Sequence, residues 1–155
     1  MMNLSCKVIS ALSGKTLVTA ESCTGGGIGA ALTAVPGSSA VYKGGVICYT
    51  NWVKQNLLSV PAELLNLNGP VSAPVAEAMA KGVRAALQAD IAVSVTGLAG
   101  PDGDDFGNPV GTVYIGFASK DQTKVKKFFF SGDRESIRTQ AVYEALRVVL
   151  DNFNE

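Results

Sequence analysis

"KTLVTAESCTGGGIGAALTAVPG" (residues 15–37) decides the fold. Its first third, "TLVTA" (16–20), is short, apolar and β-branched, which predicts a buried strand. Three successive glycines, Gly25 to Gly27, break that pattern. "GGGIGAALTAV" then continues as a helix, and Pro36-Gly37 stops it. A strand, a glycine turn and a helix in that order form the unit from which α/β sheets are built.

The same alternation extends in both directions. Upstream, Leu4, Val8, Ile9 and Leu12 recur at helical spacing, and Ser13-Gly14 can end that helix. Downstream, "VYKGGVICYT" (41–50) reads as a strand with a Gly-Gly bend. Asn51 can cap a short helix through Leu58. "NLNGPVS" is a loop. Ser72 caps a helix with Pro74 in its first turn and Val75, Met79, Val83 and Leu87 on its buried stripe. "DIAVSVTG" (90–97) is a further buried strand. "VGTVYIGFAS" (110–119) and "KVKKFFF" (124–130) suggest an antiparallel hairpin. Asp133 caps a last helix that buries Ile137, Ala141, Ala145 and Val149. The expected architecture is a three-layer α/β/α sandwich with a mixed, mostly parallel β-sheet, formed by one domain over 1–155.

Composition narrows the chemistry. Apolar residues are 47% and charged residues 17% of 155 residues, ample for one core. Thirteen basic residues balance thirteen acidic ones, so no electrostatic field favours nucleic acid. The start of the sequence lacks a signal peptide, no apolar run spans a bilayer, and three unpatterned cysteines fit a reduced, cytoplasmic protein without a membrane partner. Histidine is absent. A Ser-His-Asp triad, a Cys-His pair and any histidine-bound metal are therefore excluded within this chain.

Four stretches carry candidate chemistry. In "TAESCTGGG" (19–27), Ser22, Thr24, Gly25 and Gly26 make either a capped turn or a phosphate or ribose cradle of backbone N–H groups. No acid lies between Glu21 and Glu63 to hold a dinucleotide ribose. Cys23 offers a thiol with no imidazole to serve it. In "PGSSAVYKGGVICYTNWVK" (36–54), Ser39 and Lys54 are either a turn serine and a surface lysine or a dyad, because a desolvated lysine can take a serine proton. "TGLAGPDGDDFGNPVGT" (96–112) is either a surface connection or a functional loop. Amides near Thr96–Gly100 can hold an oxyanion, while Asp102, Asp104 and Asp105 can meet a hard cation. In "SGDRES" (131–136), Arg134 sits in a helix first turn, where a cation gains nothing from the dipole and implies an anionic partner.

Together "TAESCTGGGIGAALTAVPGSS", "GGVICYTNWVK", "GPVSAPVAEAMA", "VSVTGLAGPDG", "PVGTVYIGFA" and "SGDRESIRTQA" resemble the C-terminal domain of the CinA family over nearly the whole chain. The molybdopterin-cofactor-like domain of full CinA proteins has no counterpart here, so the type expected is the stand-alone nicotinamide mononucleotide deamidase (PncC). That resemblance implies hydrolysis of the carboxamide of nicotinamide mononucleotide to nicotinate mononucleotide and ammonia. It implies a small-molecule nucleotide substrate, no cofactor, no metal and a homo-oligomer. Matched to this sequence, it puts the nucleophile on Ser39, the base on Lys54 and a supporting tyrosine on Tyr49. Ser22, Thr96 and Arg134 fall on its other active-site positions. Ser22, Thr24, Gly25, Gly26, Thr96, Gly97 and Arg134 are then the expected substrate-binding set.

Overall fold

A computed structural model describes residues 1–154. Its five-stranded sheet has the order β2-β1-β3-β4-β5, with β1 at Leu17–Glu21, β2 at Tyr42–Ile47, β3 at Ile91–Gly97, β4 at Thr112–Ala118 and β5 at Thr123–Phe129. β1 pairs in parallel with β2 and with β3. β4 runs antiparallel to both β3 and β5. Four strands thus point one way and β4 alone points back. Every residue of β1 is buried, as the apolar run predicts for an inner strand covered on both faces. The edge strands β2 and β5 instead alternate between exposed and partly covered residues.

Helices α1 (Met2–Ala11), α2 (Gly27–Thr33) and α6 (Arg134–Asn152) pack together on one face. Leu12, Ile28, Leu32, Ile137, Ala141 and Leu146 fill the core beneath them. Helices α3 (Asn51–Leu58), α4 (Ala62–Asn68) and α5 (Ala73–Ala86) cover the other face. There Leu58, Val75, Met79 and Val83 meet Val18, Ala20 and Ala92. The expected three-layer α/β/α arrangement is what the chain adopts. Gly82 brings α5 against α3: a Cβ at that position would collide with the Leu58 carbonyl.

The local differences have simple causes. α4 occupies 62–68, part of which reads as loop, because this one short helix buries little beyond Leu65 and shows no long apolar period. Thr50, not Asn51, caps α3, its hydroxyl accepting from Val53 N–H at 3.4 Å. Ser72 stands at the N-cap of α5 but turns its hydroxyl back to the Gly69 carbonyl at 2.9 Å. Asp133 caps α6 as expected, accepting from Ser136 N–H at 2.9 Å.

The crossover through α2 leaves β1 on one face, and the crossover to β3 returns on the other. The carboxyl ends of β1 and β3 therefore flank a topological switch point, where open α/β sheets place their ligand crevices.

Candidate active site

At that switch point lies a cleft of about 360 Å³, within the range of small-molecule sites. Its floor is Ser22, the residue directly after β1, and Lys54, in the first turn of α3. Ser22 is fixed by its N–H, which extends the β1–β3 ladder to Val95 O at 2.9 Å. Thr96, Gly97 and the Leu98–Pro101 turn form one wall; Tyr49, Arg134 and the exposed Asp102 complete the lining.

Lys54 is only 1% exposed. Its Nζ lies 3.0 Å from Ser22 Oγ, 2.8 Å from the Cys48 carbonyl and 3.5 Å from the Tyr49 carbonyl. Among the described residues no carboxylate pairs with it. Burial pushes its pKa below the usual 10.5, and the Cys48 and Cys23 groups nearby pull it back only in part. A neutral amine has two N–H donors and one lone pair. Two carbonyls can take those two N–H donors while the lone pair faces the Ser22 hydroxyl, and an ammonium in the same place would keep a buried charge without a counter-ion.

Ser39 is not part of this arrangement. It sits exposed in a 3-10 turn at Ser38–Ala40, before β2 begins. Tyr42 pairs with the first residue of β1 and Ile47 with its last, so β2 carries the chain roughly 17 Å from the Ser39 end of the sheet to the Lys54 end. The hydroxyl that meets Lys54 is that of Ser22. The correction is topological: spacing along the chain puts Ser39 and Lys54 on the two sides of one strand, and a strand separates its ends.

The glycine turn is corrected as well. Glu21, 2% exposed, occupies the anion position at the start of α2. Its carboxylate accepts from Thr24 Oγ1 and Ile28 N–H at 2.8 Å each, from Gly29 N–H at 3.0 Å and from Thr19 Oγ1 at 3.4 Å. The cradle is thus filled by the protein's own acid, and Thr24, Gly25 and Gly26 do not line the cleft. Left-handed backbone at Gly25 (φ 59°) and Gly26 (φ 102°) lets the turn wrap that carboxylate. An acid directly before a glycine-rich helix start was the signal for this.

Of the other expected residues, Thr96 and Gly97 line the cleft. The Thr96 hydroxyl is committed to the Pro70 carbonyl at 2.7 Å, which tethers the loop before α5. Tyr49 also lines it, but its phenol accepts from Arg134 Nη2 at 3.3 Å, and only its carbonyl approaches Lys54. Among the described residues the phenol makes no hydrogen bond to Lys54 or to Ser22. Arg134 donates through Nη1 to the Gly100 carbonyl at 2.6 Å, so it joins α6 to the far wall. Arg138, one turn further on α6, was missed: Nε and Nη2 donate to the carbonyls of Cys23 and Thr24 at 3.0 and 3.3 Å, pinning the turn after Ser22. Its signal was the i, i+4 spacing from Arg134.

Burial pushes the Cys23 thiol up to about 12 and the Cys48 thiol to about 11. Neither supplies a thiolate near neutral pH. Asp104 is occupied inside its own loop by Phe106 N–H, Asn108 N–H and Asn108 Nδ2. Among the described residues no three His, Cys, Asp or Glu side chains group as metal ligands, and no helix is long and apolar enough to cross a membrane.

A family model for the CinA C-terminal domain matches residues 2–153. A CinA-like protein of Parasynechococcus marenigrum is 52% identical over 136 residues, 86% of this chain and 32% of the relative. A putative competence-damage inducible protein of Halothermothrix orenii is 53% identical over 126 residues, 81% of this chain and 30% of the relative. The chain spans about a third of the length of these curated relatives. Among solved structures, the competence damage-inducible protein A (ComA) of Klebsiella pneumoniae superposes with a TM-score of 0.96 at 38% identity, covering 99% of this chain and 97% of that one. A CinA superfamily protein of Escherichia coli superposes with a TM-score of 0.94 at 35% identity, covering 96% and 88%. On sequence and on fold alike, the chain belongs to the CinA C-terminal domain family.

Proposed function

We propose that the chain is a serine amidohydrolase that converts nicotinamide mononucleotide to nicotinate mononucleotide and ammonia, with Ser22 as nucleophile and Lys54 as base. The observation that carries the reading is the buried Lys54 amine, without an acidic partner, 3.0 Å from Ser22 Oγ at the floor of the cleft. The resemblance noted in the sequence supplies the substrate. A cytoplasmic homo-oligomer, with one domain per 155-residue chain, belongs to the same proposal.

In the first half-reaction neutral Lys54 takes the Ser22 proton as Oγ attacks the carboxamide carbon. The oxyanion forms beside Ala99 and Gly100, which lie beyond the end of β3 and line the cleft. Their N–H groups are the donors proposed for it. Lys54 then gives its proton to the departing nitrogen, the C–N bond breaks, and ammonia leaves a nicotinoyl ester on Ser22. Water attacks the ester, Lys54 takes the water proton and returns it to Oγ, and the acid is released. Arg134, which touches both Gly100 and Tyr49, holds the substrate beside this chemistry.

The test is ammonia release from nicotinamide mononucleotide by wild type, Ser22→Ala and Lys54→Met. Turnover by wild type and loss in both variants is expected. Full activity in either variant would overturn the dyad. Tight binding of the mononucleotide by wild type without ammonia would make the chain a nucleotide-binding regulatory module instead.

A further inference from the structure

Three ionisable side chains line the cleft: Lys54 at its floor, and Arg134 and Asp102 near its mouth. The last two are exposed and do not neutralise each other. Arg134 spends two of its five N–H donors on the Gly100 carbonyl and the Tyr49 phenol. The Asp102 carboxylate takes no hydrogen bond or ion pair among the described residues. Helix geometry does not explain Arg134 either, since the first turn of α6 disfavours a cation. Asp102 differs from its loop neighbour Asp104, which is fully used in holding the loop. One cleft therefore presents a negative and a positive group, each with unused capacity, above a hydroxyl–amine pair suited to an amide.

We propose that Asp102 and Arg134 sort substrates by charge, so that the cleft takes a zwitterionic carboxamide with Asp102 facing its cationic ring and Arg134 its anionic group. The inference rests on the amidohydrolase reading and adds a specificity residue to it. A pyridinium nucleotide carries both charges. Its dihydropyridine form keeps the phosphate, the ribose and the carboxamide but has a neutral ring. The nucleoside keeps the ring charge and lacks the phosphate. Neutral nicotinamide lacks both.

The experiment measures dissociation constants calorimetrically in the full chain carrying Ser22→Ala, which prevents turnover. The ligands are oxidised and reduced nicotinamide mononucleotide. Preference for the oxidised form by about fivefold is expected, the scale of one charge pair at an exposed rim. Adding Asp102→Asn should erase that preference by weakening the oxidised form alone. Adding Arg134→Gln should weaken both forms alike, because both carry the phosphate. Asp102→Asn weakening both forms equally, or neither, would overturn the proposal. Circular dichroism of each variant separates misfolding from lost recognition, and Asp102→Glu should restore the preference. The ammonia assay on wild type runs in parallel. Charge-selective binding without ammonia would sink the reaction and leave the recognition standing; ammonia release with an Asp102→Asn variant that keeps the preference would do the reverse. Failure of the oxidised form to bind would overturn both.

Discussion

Glu21 and Lys54 are both buried charged residue types at the same end of the sheet, 2% and 1% exposed. They are treated in opposite ways. Glu21 receives four donors, two of them backbone amides of α2. Lys54 receives no anion and faces two carbonyls and a hydroxyl. A buried carboxylate saturated with donors is part of the scaffold. A buried amine denied a counter-ion has its neutral form favoured, and a neutral amine is a base. The difference separates the residue that shapes the turn from the residue proposed to move a proton.

The sharpest way to break this contrast is Lys54→Met. Ammonia release should fall by about three orders of magnitude or more, while the melting temperature holds or rises, since a buried amine gives way to an apolar chain of similar length. A large loss of stability together with activity would make Lys54 structural. Glu21→Ala should behave inversely. It strands Thr24, Ile28 and Gly29 donors, at roughly 1–3 kcal/mol for each group left unsatisfied. A fall of several degrees or more in melting temperature is expected, read by calorimetry. A Glu21→Ala variant as stable as wild type would remove the scaffold role.

How much of this was legible beforehand follows from the same two residues. The apolar run of β1, the glycine turn and the period of α6 were enough for the layers, because strand and helix burial leave distinct periods. Lys54 was legible as a candidate base because the chain has no histidine. Its partner was not. Ser39 and Ser22 are both plausible hydroxyls by type, and only the parallel pairing of β2 on β1 shows which one shares an end of the sheet with Lys54. The glycine turn was legible as an anion site, yet not that Glu21, inside the same motif, fills it. Donor–acceptor accounting is a three-dimensional fact, and α4, with little buried, left almost no pattern to read.

The depressed Lys54 pKa sharpens the contrast as a pH dependence. Activity should rise with pH as Lys54 loses its proton, with a midpoint below 10.5, measured as kcat/KM against pH. Stability carries the same sign. Between the depressed folded value and 10.5 the unfolded chain binds the extra proton, so stability increases with pH across that window and is lost as pH falls through the folded value. Lys54→Met should flatten that part of the stability profile; an unchanged slope would assign it elsewhere.

The smallest effects concern the rival nucleophiles. Cys23→Ala should leave turnover within about threefold, because a thiol held near 12 is protonated at neutral pH. Thiol alkylation should likewise spare activity. Ser39→Ala, at an exposed turn across the sheet, should change rate and stability least of all, within about 0.5 kcal/mol. Loss of ammonia release in Ser39→Ala would require a second copy to bring that serine to the cleft.

Gly82 has a consequence far from its own position. Because its missing side chain lets α5 and α3 touch at Leu58, it sets where α3 rests, and α3 carries Lys54. Ser22, by contrast, hangs from the inner strand, with the turn behind it held from the opposite layer by Arg138. The 3.0 Å between the Ser22 hydroxyl and the Lys54 amine is therefore a gauge of how tightly two separate layers are drawn together. A single methyl group inserted at Gly82 would push α3 away from α5 within their shared layer, and the proposed reaction should fail with every residue assigned to it still in place.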